Sequence, residues 1–143
     1  MEISEIQERG RRIHNFLGVF TTSQLNSINI LKDNVCLMIY TTNHAIGLYI
    51  STKTLDIYDP LGLKNFRELD NLCEFVVTHA IGRKLKISSQ IQSDESDVCA
   101  KISLVCLLMR SQNINFEDIT QTFCENFSEN DALAAKLFEK YFD

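Results

Sequence analysis

The sequence predicts an α+β fold, in which a small and mostly antiparallel sheet packs against helices. Three observations support this fold class. Strand-like apolar runs follow one another closely over 35–40, 45–50 and 54–58. Apolar residues then recur at helical spacing over 65–81, which indicates an amphipathic helix. A further run over 98–109 is apolar on nearly every side, as expected of a buried central helix.

Shorter elements are expected around this core. In chain order, they are a weak amphipathic helix at 2–13, a loop with short extended pieces at 15–30, a strand at 84–92, and two closing helices at about 116–127 and 131–141. Asn115 is the predicted N-cap of the first closing helix. Residues 51–53 are the predicted hairpin turn between two of the strands.

Length and composition predict one folded domain over residues 1–143. The chain is 45% hydrophobic and contains one proline, so it should bury enough apolar surface to be stable without disulfide bonds. It has no apolar run of eighteen residues, and residues 1–5 do not resemble a secretory signal. We therefore expect an intracellular protein that does not interact with a membrane.

The charge balance argues against a nucleic-acid partner. The formal net charge is −5 and the pI is about 5.2, whereas phosphate binding depends on clustered lysine and arginine. The basic clusters at 9–12 and 83–86 are expected to be solvated helix ends. The sequence has no CxxC pair and no clustered Cys/His set, so neither a metal nor another cofactor is expected.

One of the five cysteines, Cys99, differs from the others in its setting. It begins the predicted central helix, where unpaired N–H groups and the positive end of the helix dipole favour a thiolate. The acids Asp94, Glu95 and Asp97 would disfavour the thiolate if they faced it, but we expect them to cap the helix. The remaining four cysteines fall in apolar strand or helix patterns, where a reduced thiol simply packs: Cys36, Cys73, Cys106 and Cys124.

Four residue types needed for thiol-dependent peptide cleavage occur in the order His44, Asp59, Gln92 and Cys99. The reaction needs a nucleophilic thiol, a base to take its proton, a carboxylate to orient the base, and a donor for the oxyanion. His44 lies at the entrance to the second strand, and Asp59 follows the third. Gln92 precedes Cys99 by seven residues and could supply the amide donor. This order is typical of a cysteine protease.

The residues alone leave alternatives open for three of these positions. His14 and His79 are fallback bases, although both are expected at the surface. Asp56 competes with Asp59, but strand alternation puts it on the opposite face, where it would be an ordinary outward-facing residue. Gln90 competes with Gln92 from the same face of the predicted strand.

These residues resemble the adenovirus-type cysteine proteases (adenains), which are related to the SUMO-deconjugating proteases and share a papain-like arrangement. The similarity lies in the block over 44–62, in Phe-Leu-Gly at 16–18, and in the separation of Gln92 from Cys99, and it covers roughly 15–110. It implies that His44 is the base, Asp59 the orienting acid, Gln92 the oxyanion donor and Cys99 the nucleophile. The central helix would then begin at the nucleophile.

Two positions depart from the family pattern. Ala100 stands where the family usually has glycine after the nucleophile, and Ala45 stands where it usually has an aromatic residue after the base. Ala100 excludes a backbone angle reserved for glycine, and Ala45 opens space beside His44.

The resemblance also implies a function. It suggests a viral or mobile-element protease that matures capsid or core precursor proteins, within a virion or a host cell. An activating peptide is a candidate partner, whereas the acidic balance argues against stimulation by DNA. Two other functions remain open: an isopeptidase that removes ubiquitin-like proteins, and a catalytically silent binding module with a protease-like fold.

Overall fold

A computed structural model describes residues 1–28, 30–41, 44–62, 70–93 and 98–143. The predictions for Asp94, Glu95 and Asp97, and for the first residues of the helix predicted at 65–81, lie outside these ranges. No helix in the described ranges is long and apolar enough to cross a membrane.

The described elements include three consecutive strands in the middle of the chain and three consecutive helices at its end. The strands are β1 (Phe16–Thr21), β2 (Val35–Thr41), β3 (His44–Ile50), β4 (Thr54–Tyr58) and β5 (Lys84–Ile87). The helices are α1 (Ile3–Gly10), α2 (Asp70–Ala80), α3 (Cys99–Ser111), α4 (Phe116–Gln121) and α5 (Phe127–Phe142), and a 3-10 helix at Thr22–Ser27 follows β1. This combination confirms the predicted fold class.

The five strands form one sheet in the order β1-β2-β3-β4-β5. The three central strands are antiparallel, as the consecutive runs and the hairpin turn predict. The outer strands β1 and β5 run parallel to their neighbours. The sheet is therefore mixed, with its antiparallel part confined to the centre, because both outer strands join the sheet through longer connections.

Helices cover both faces of the sheet, which explains why the central strands are apolar at nearly every position. On one face, Ile46, Leu48 and Ile57 belong to a core cluster that includes residues of α2. On the other face, Tyr49 and Tyr58 belong to a cluster that includes α3 and α5. No outward-facing side of the central strands is left to solvent, and this corrects the expectation for Asp56.

The central helix α3 approaches β3 closely at Gly47. A Cβ atom at this position would lie 3.1 Å from Leu107 Cγ, so a larger residue would push the helix away from the strand. Residues of α3 that contact the sheet or the site recur at spacings of four, four and three, as one face of a helix requires: Cys99, Ser103, Leu107 and Arg110.

Two predicted extended segments differ from the structure. The segment expected to be a loop at 15–30 contains β1 and the 3-10 helix, whose start is fixed by a capping box between Thr21 and Gln24. The strand expected at 84–92 ends at Ile87. The Ser88 N–H still donates to the Ile57 carbonyl of β4 at 2.9 Å, but the N–H groups of Ile91 and Gln92 donate to the Pro60 carbonyl in the loop after β4.

The boundary between the last two helices was also predicted wrongly. Asn115 caps α4 as expected, by accepting from the Asp118 N–H at 2.8 Å. However, α4 ends at Gln121, and α5 begins at Phe127 because the Asn126 side chain accepts from the Glu129 N–H at 3.1 Å. The Asn126 cap is a local signal that the apolar periodicity obscured.

Candidate active site

His44 and Asp59 meet at one end of the central strands. His44 is the first residue of β3 and is 3% exposed, and Asp59 directly follows β4 and is fully buried. The Nε2 atom of His44 lies 2.7 Å from Asp59 Oδ1. A ring nitrogen that donates to a buried carboxylate has a fixed tautomer and orientation. The structure therefore brings the predicted base and acid together.

The turn after β4 holds the Asp59 carboxylate in place. Its Oδ1 atom also accepts from the Leu61 N–H at 3.0 Å, and its backbone carbonyl accepts from the Gly62 N–H at 2.8 Å. The Ser88 hydroxyl lies 3.0 Å from the Asp59 nitrogen and 3.1 Å from its carbonyl oxygen, so it accepts from one and donates to the other. These bonds fix the acid from two segments of the chain.

Gly62 is required at the end of this turn for two reasons. Its φ of +73° lies in the left-handed region that favours glycine. A Cβ atom there would also lie 3.2 Å from the backbone nitrogen of Gln90. The Asp59 turn therefore packs directly against the segment that leads to Gln92.

Gln92 lies beside the same turn and is 1% exposed. Its N–H and that of Ile91 both donate to the Pro60 carbonyl, at 3.1 and 2.8 Å. The rival residue Gln90 is half-buried, and its side-chain amide donates to the Gln92 carbonyl at 2.8 Å. The rival therefore contributes to holding the backbone of the predicted oxyanion donor.

Asn130 was not singled out by sequence reasoning, yet it supports the Gln92 segment from α5. It is 1% exposed, and its amide donates to the carbonyls of Ile91 at 2.8 Å and Cys124 at 2.7 Å. Its Oδ1 atom accepts from the Cys124 N–H at 2.8 Å. Asn130 lies between the two predicted closing helices in the polar stretch 128–131, where the sequence gives no sign that it is buried.

Cys99 begins α3, within a residue of the predicted start of the central helix, and is 7% exposed. The N-cap residue Val98 makes no side-chain capping hydrogen bond. Because the first N–H groups of a helix have no intrahelical acceptors, they offer donors to negative charge near Cys99.

Three influences set the pKa of His44: burial, Asp59 and Cys99. Burial disfavours the imidazolium and lowers this pKa, but the hydrogen bond with Asp59 and the interactions with Cys99 raise it. The net effect raises the pKa from 6.5 to about 9. The ring is thus protonated at neutral pH. Within the described ranges, the Nδ1 atom makes no hydrogen bond of good geometry, which leaves it available to the Cys99 thiol.

Asp56 is not the outward-facing residue that alternation suggested. The helix α3 covers the face of β4 on which it lies, and the carboxylate is fully buried. Arg110 Nε donates to Asp56 Oδ2 at 2.8 Å, and its guanidinium lies 4.6 Å from the centre of the Tyr49 ring. Asp56 therefore anchors the far end of α3.

The alternative bases lie apart from this arrangement. His14 is exposed. His79 is half-buried in α2, where its Nδ1 atom lies 2.8 Å from the Phe75 carbonyl oxygen and its ring lies 4.1 Å from the Phe75 ring. Neither contributes to the pKa of the His44 ring.

The other cysteines divide into buried and accessible thiols, and no disulfide bond links them in the described ranges. Burial raises the pKa of Cys36 to about 12 and raises that of Cys106 further. Cys73 is half-buried. Cys124 is exposed in the loop before α5, which corrects its expected place inside a helix.

The basic clusters make contacts within the chain. Arg9 pairs with Asp143 at 2.9 Å, and Lys86 pairs with Glu117 at 2.6 Å. In the described ranges, no group of three or more His, Cys, Asp or Glu side chains is placed to hold a metal ion.

Comparison of sequences with protein-family profiles and with curated proteins finds no match. Comparison with solved structures does find similar proteins. The ASFV pS273R protease superposes with a TM-score of 0.61 at 12% identity, over 99% of this chain and 66% of that protein. The SUMO protease Ulp1, with its catalytic cysteine oxidized to a sulfenic acid, superposes with a TM-score of 0.52 at 14% identity, over 100% of this chain and 79% of that one.

A third similar structure is the central domain of the uncharacterized Lpg1148 protein from Legionella pneumophila. Its TM-score is 0.52 at 12% identity, and the match covers 94% of this chain and 95% of that domain. Two of these three structures are proteases, and the identities are low enough that the likeness concerns the fold alone. The chain has the fold of the SUMO-protease-like cysteine proteases.

Proposed function

We propose that this protein is a cysteine endopeptidase in which Cys99, His44 and Asp59 form the catalytic triad. The observation that carries the proposal is the buried His44–Asp59 hydrogen bond, with a ring whose pKa also responds to Cys99 at the start of α3. This arrangement favours an activated thiol at Cys99, because an imidazolium and a helix N-terminus both stabilise the thiolate.

The first half of the reaction forms an acyl-enzyme. At neutral pH the proton of the Cys99 thiol is already on Nδ1 of the His44 imidazolium, and the sulfur anion attacks the carbonyl carbon of the peptide bond. The His44 imidazolium then protonates the departing amine, which leaves a thioester on Cys99. Asp59 accepts the hydrogen bond from Nε2 and stabilises the imidazolium.

The second half hydrolyses the thioester. Neutral His44 takes a proton from water, the hydroxide adds to the thioester carbonyl, and the C–S bond breaks to release the acid and restore the Cys99 thiolate beside the His44 imidazolium. In both halves, the negative charge that develops on the carbonyl oxygen is stabilised by the Gln92 amide and the Cys99 backbone N–H. The bonds that hold Gln92 to the Asp59 turn support this role.

For the substrate, we propose precursor proteins of a capsid or core, cleaved next to small residues such as glycine. The support is the adenain-like arrangement of the block from His44 to Gly62 and the similarity in fold to a protease named for ASFV. The similarity to Ulp1 favours a second candidate, an isopeptidase acting on ubiquitin-like proteins. Both candidates use the same site, so only substrates can separate them.

A pair of electrophilic probes tests the proposal. A short peptide vinyl sulfone that ends in Gly-Gly should label Cys99, and cleavage of Gly-containing peptides should fall by more than about 10³-fold in Cys99→Ala and His44→Ala. The matched control is Cys124→Ala, which removes an exposed thiol outside the site and should leave cleavage unchanged.

Each result has a distinct meaning. Labelling by a SUMO or ubiquitin vinyl sulfone, but not by the peptide probe, would favour the isopeptidase. A folded protein whose Cys99 reacts with neither class of probe would be a silent binding module. Undiminished cleavage by Cys99→Ala would refute the triad.

A further inference from the structure

Three elements of the fold meet at the hydroxyl of Ser103. This residue lies in α3, one helical turn after Cys99, and is fully buried. Its Oγ atom lies 3.3 Å from the Ala45 carbonyl oxygen and 3.4 Å from the Tyr58 carbonyl oxygen. Ala45 directly follows His44, and Tyr58 directly precedes Asp59. One side chain thus connects the helix of the candidate nucleophile to the residues beside the base and the acid.

The position of this hydroxyl matters because the sheet does not hold the two strands together there. The pairing between β3 and β4 ends at Gly47 and Tyr58. Beyond that pair, His44 and Asp59 are joined by their own side-chain bond. Ser103 lies between the last ladder pair and that bond, so it bridges the strand ends where the ladder stops.

We propose that Ser103 is a positioning residue that sets the distance between the Cys99 thiol and the His44–Asp59 pair. The Ser103 hydroxyl has one proton to share between two carbonyl oxygens, and both distances are long. Its contribution to the free energy of unfolding should therefore be small. Its main effect is to hold the start of α3 in position against the ends of β3 and β4. A small displacement of a reacting group is costly to catalysis. This inference rests on the proposed function, because it assigns Ser103 a role in the same site.

An ordinary packing role for Ser103 makes a different prediction. Removing the hydroxyl would then change the free energy of unfolding but leave the coupling between the thiol and the imidazole intact. The pH profile of Cys99 alkylation separates the two roles, because it measures the thiolate–imidazolium pair and requires no substrate.

The experiment uses iodoacetamide on the full chain carrying Cys73→Ser and Cys124→Ser, which leaves two deeply buried thiols besides Cys99. The parent should alkylate at Cys99 well below the pH at which an ordinary thiol ionises. Ser103→Ala should lower this low-pH rate by about tenfold and shift the profile towards that of an ordinary thiol. A profile identical to the parent's would overturn the inference.

Two further variants make the result specific. Cys106→Ala alters a fully buried side chain on the same helix and should keep the parental profile, whatever it does to stability. Ser103→Thr keeps the hydroxyl and should also keep the profile. Loss of the low-pH alkylation rate in Ser103→Thr would show that the hydroxyl is not what keeps Cys99 reactive at low pH.

The experiment also separates this inference from the proposed function. A parent protein without low-pH reactivity at Cys99 would contradict the triad itself, and the role of Ser103 would fall with it. A reactive parent with an equally reactive Ser103→Ala variant would contradict the role of Ser103 alone.

Discussion

Two buried carboxylates three residues apart have partners of different chemistry. Asp56 binds the Arg110 guanidinium at 2.8 Å, and Asp59 binds the His44 imidazole at 2.7 Å. Both acids are fully buried. A guanidinium keeps its charge at every working pH, whereas an imidazole gains and loses its proton near neutrality. The Asp56 pair is thus suited to hold structure, and the Asp59 pair to exchange a proton.

The two pairs lie at opposite ends of α3, the 13-residue helix that begins with Cys99. Arg110 ties the last turn to β4 through Asp56. At the first turn, contact with the sheet runs through the hydroxyl of Ser103 and the His44 ring. The helix therefore has a permanently charged anchor at one end and a titratable partner at the other.

The largest expected effect comes from breaking the permanent anchor. Arg110→Met should lower the free energy of unfolding by about 3 kcal/mol, because it leaves the buried Asp56 charge without its cation. Urea unfolding monitored by circular dichroism measures this change.

The double variant Asp56→Asn with Arg110→Met is the control for that measurement. It removes both charges, so it should recover much of the lost stability. If Arg110→Met alone were as stable as the parent, water would be solvating Asp56 and the pair would not be an anchor.

The next effect is the pH dependence of the free energy of unfolding, which should differ between variants of the two carboxylates. The pKa of His44 in the folded chain, about 9, exceeds its ordinary value of 6.5, so the folded state binds the extra proton more tightly. The resulting stabilisation is fully present below pH 6.5 and is lost as the pH rises towards 9. Its size is on the order of 3 kcal/mol. Asp59→Asn should remove most of this pH dependence, because the bond to Asp59 is the largest contribution that raises the pKa.

Asp56→Asn is the matched control, since its partner does not titrate in this range. It should change stability by the same amount at about pH 6 and about pH 9, while the loss in Asp59→Asn should be larger at the lower pH. Urea unfolding of the parent and both variants at each pH provides the comparison. Parallel changes in the two variants would mean that the raised His44 pKa does not depend on Asp59.

Much of the fold was predictable because the central strands and α3 are continuous apolar runs. The bounds of β2 and β3 and the start of α3 agree with the sequence pattern to within a residue or two. The same local alternation assigned Asp56 and Asp59 to opposite faces. It could not tell that α3 covers the Asp56 face, since that depends on residues fifty positions away, such as Arg110.

The sequence was enough to propose the members of the candidate site, but not the residues that support them. The residue types of His44, Asp59 and Cys99 indicate their chemistry. His44 lies 2.7 Å from Asp59, and Cys99 contributes to the raised pKa of His44. Ser103 and Asn130 are ordinary polar residues in helical segments. Their contacts join parts of the chain that lie far apart in sequence, so no local pattern could reveal them.

The smallest expected effect is a change in kcat, and it is tested by comparing two glycines that share one backbone conformation. Gly62, in the Asp59 turn, has a φ of +73°, and Gly82, after α2, has a φ of +78°. Alanine at either site should cost about 1 to 2 kcal/mol of stability, from the left-handed backbone alone. Only at Gly62 would the new Cβ press on a neighbour, the Gln90 backbone, whereas nothing lies within 4 Å at Gly82. Gly62→Ala should therefore lower kcat for peptide cleavage by about tenfold through displacement of the segment leading to Gln92. Gly82→Ala should leave kcat unchanged, and equal kcat values in the two variants would show that this segment does not contribute to the reaction.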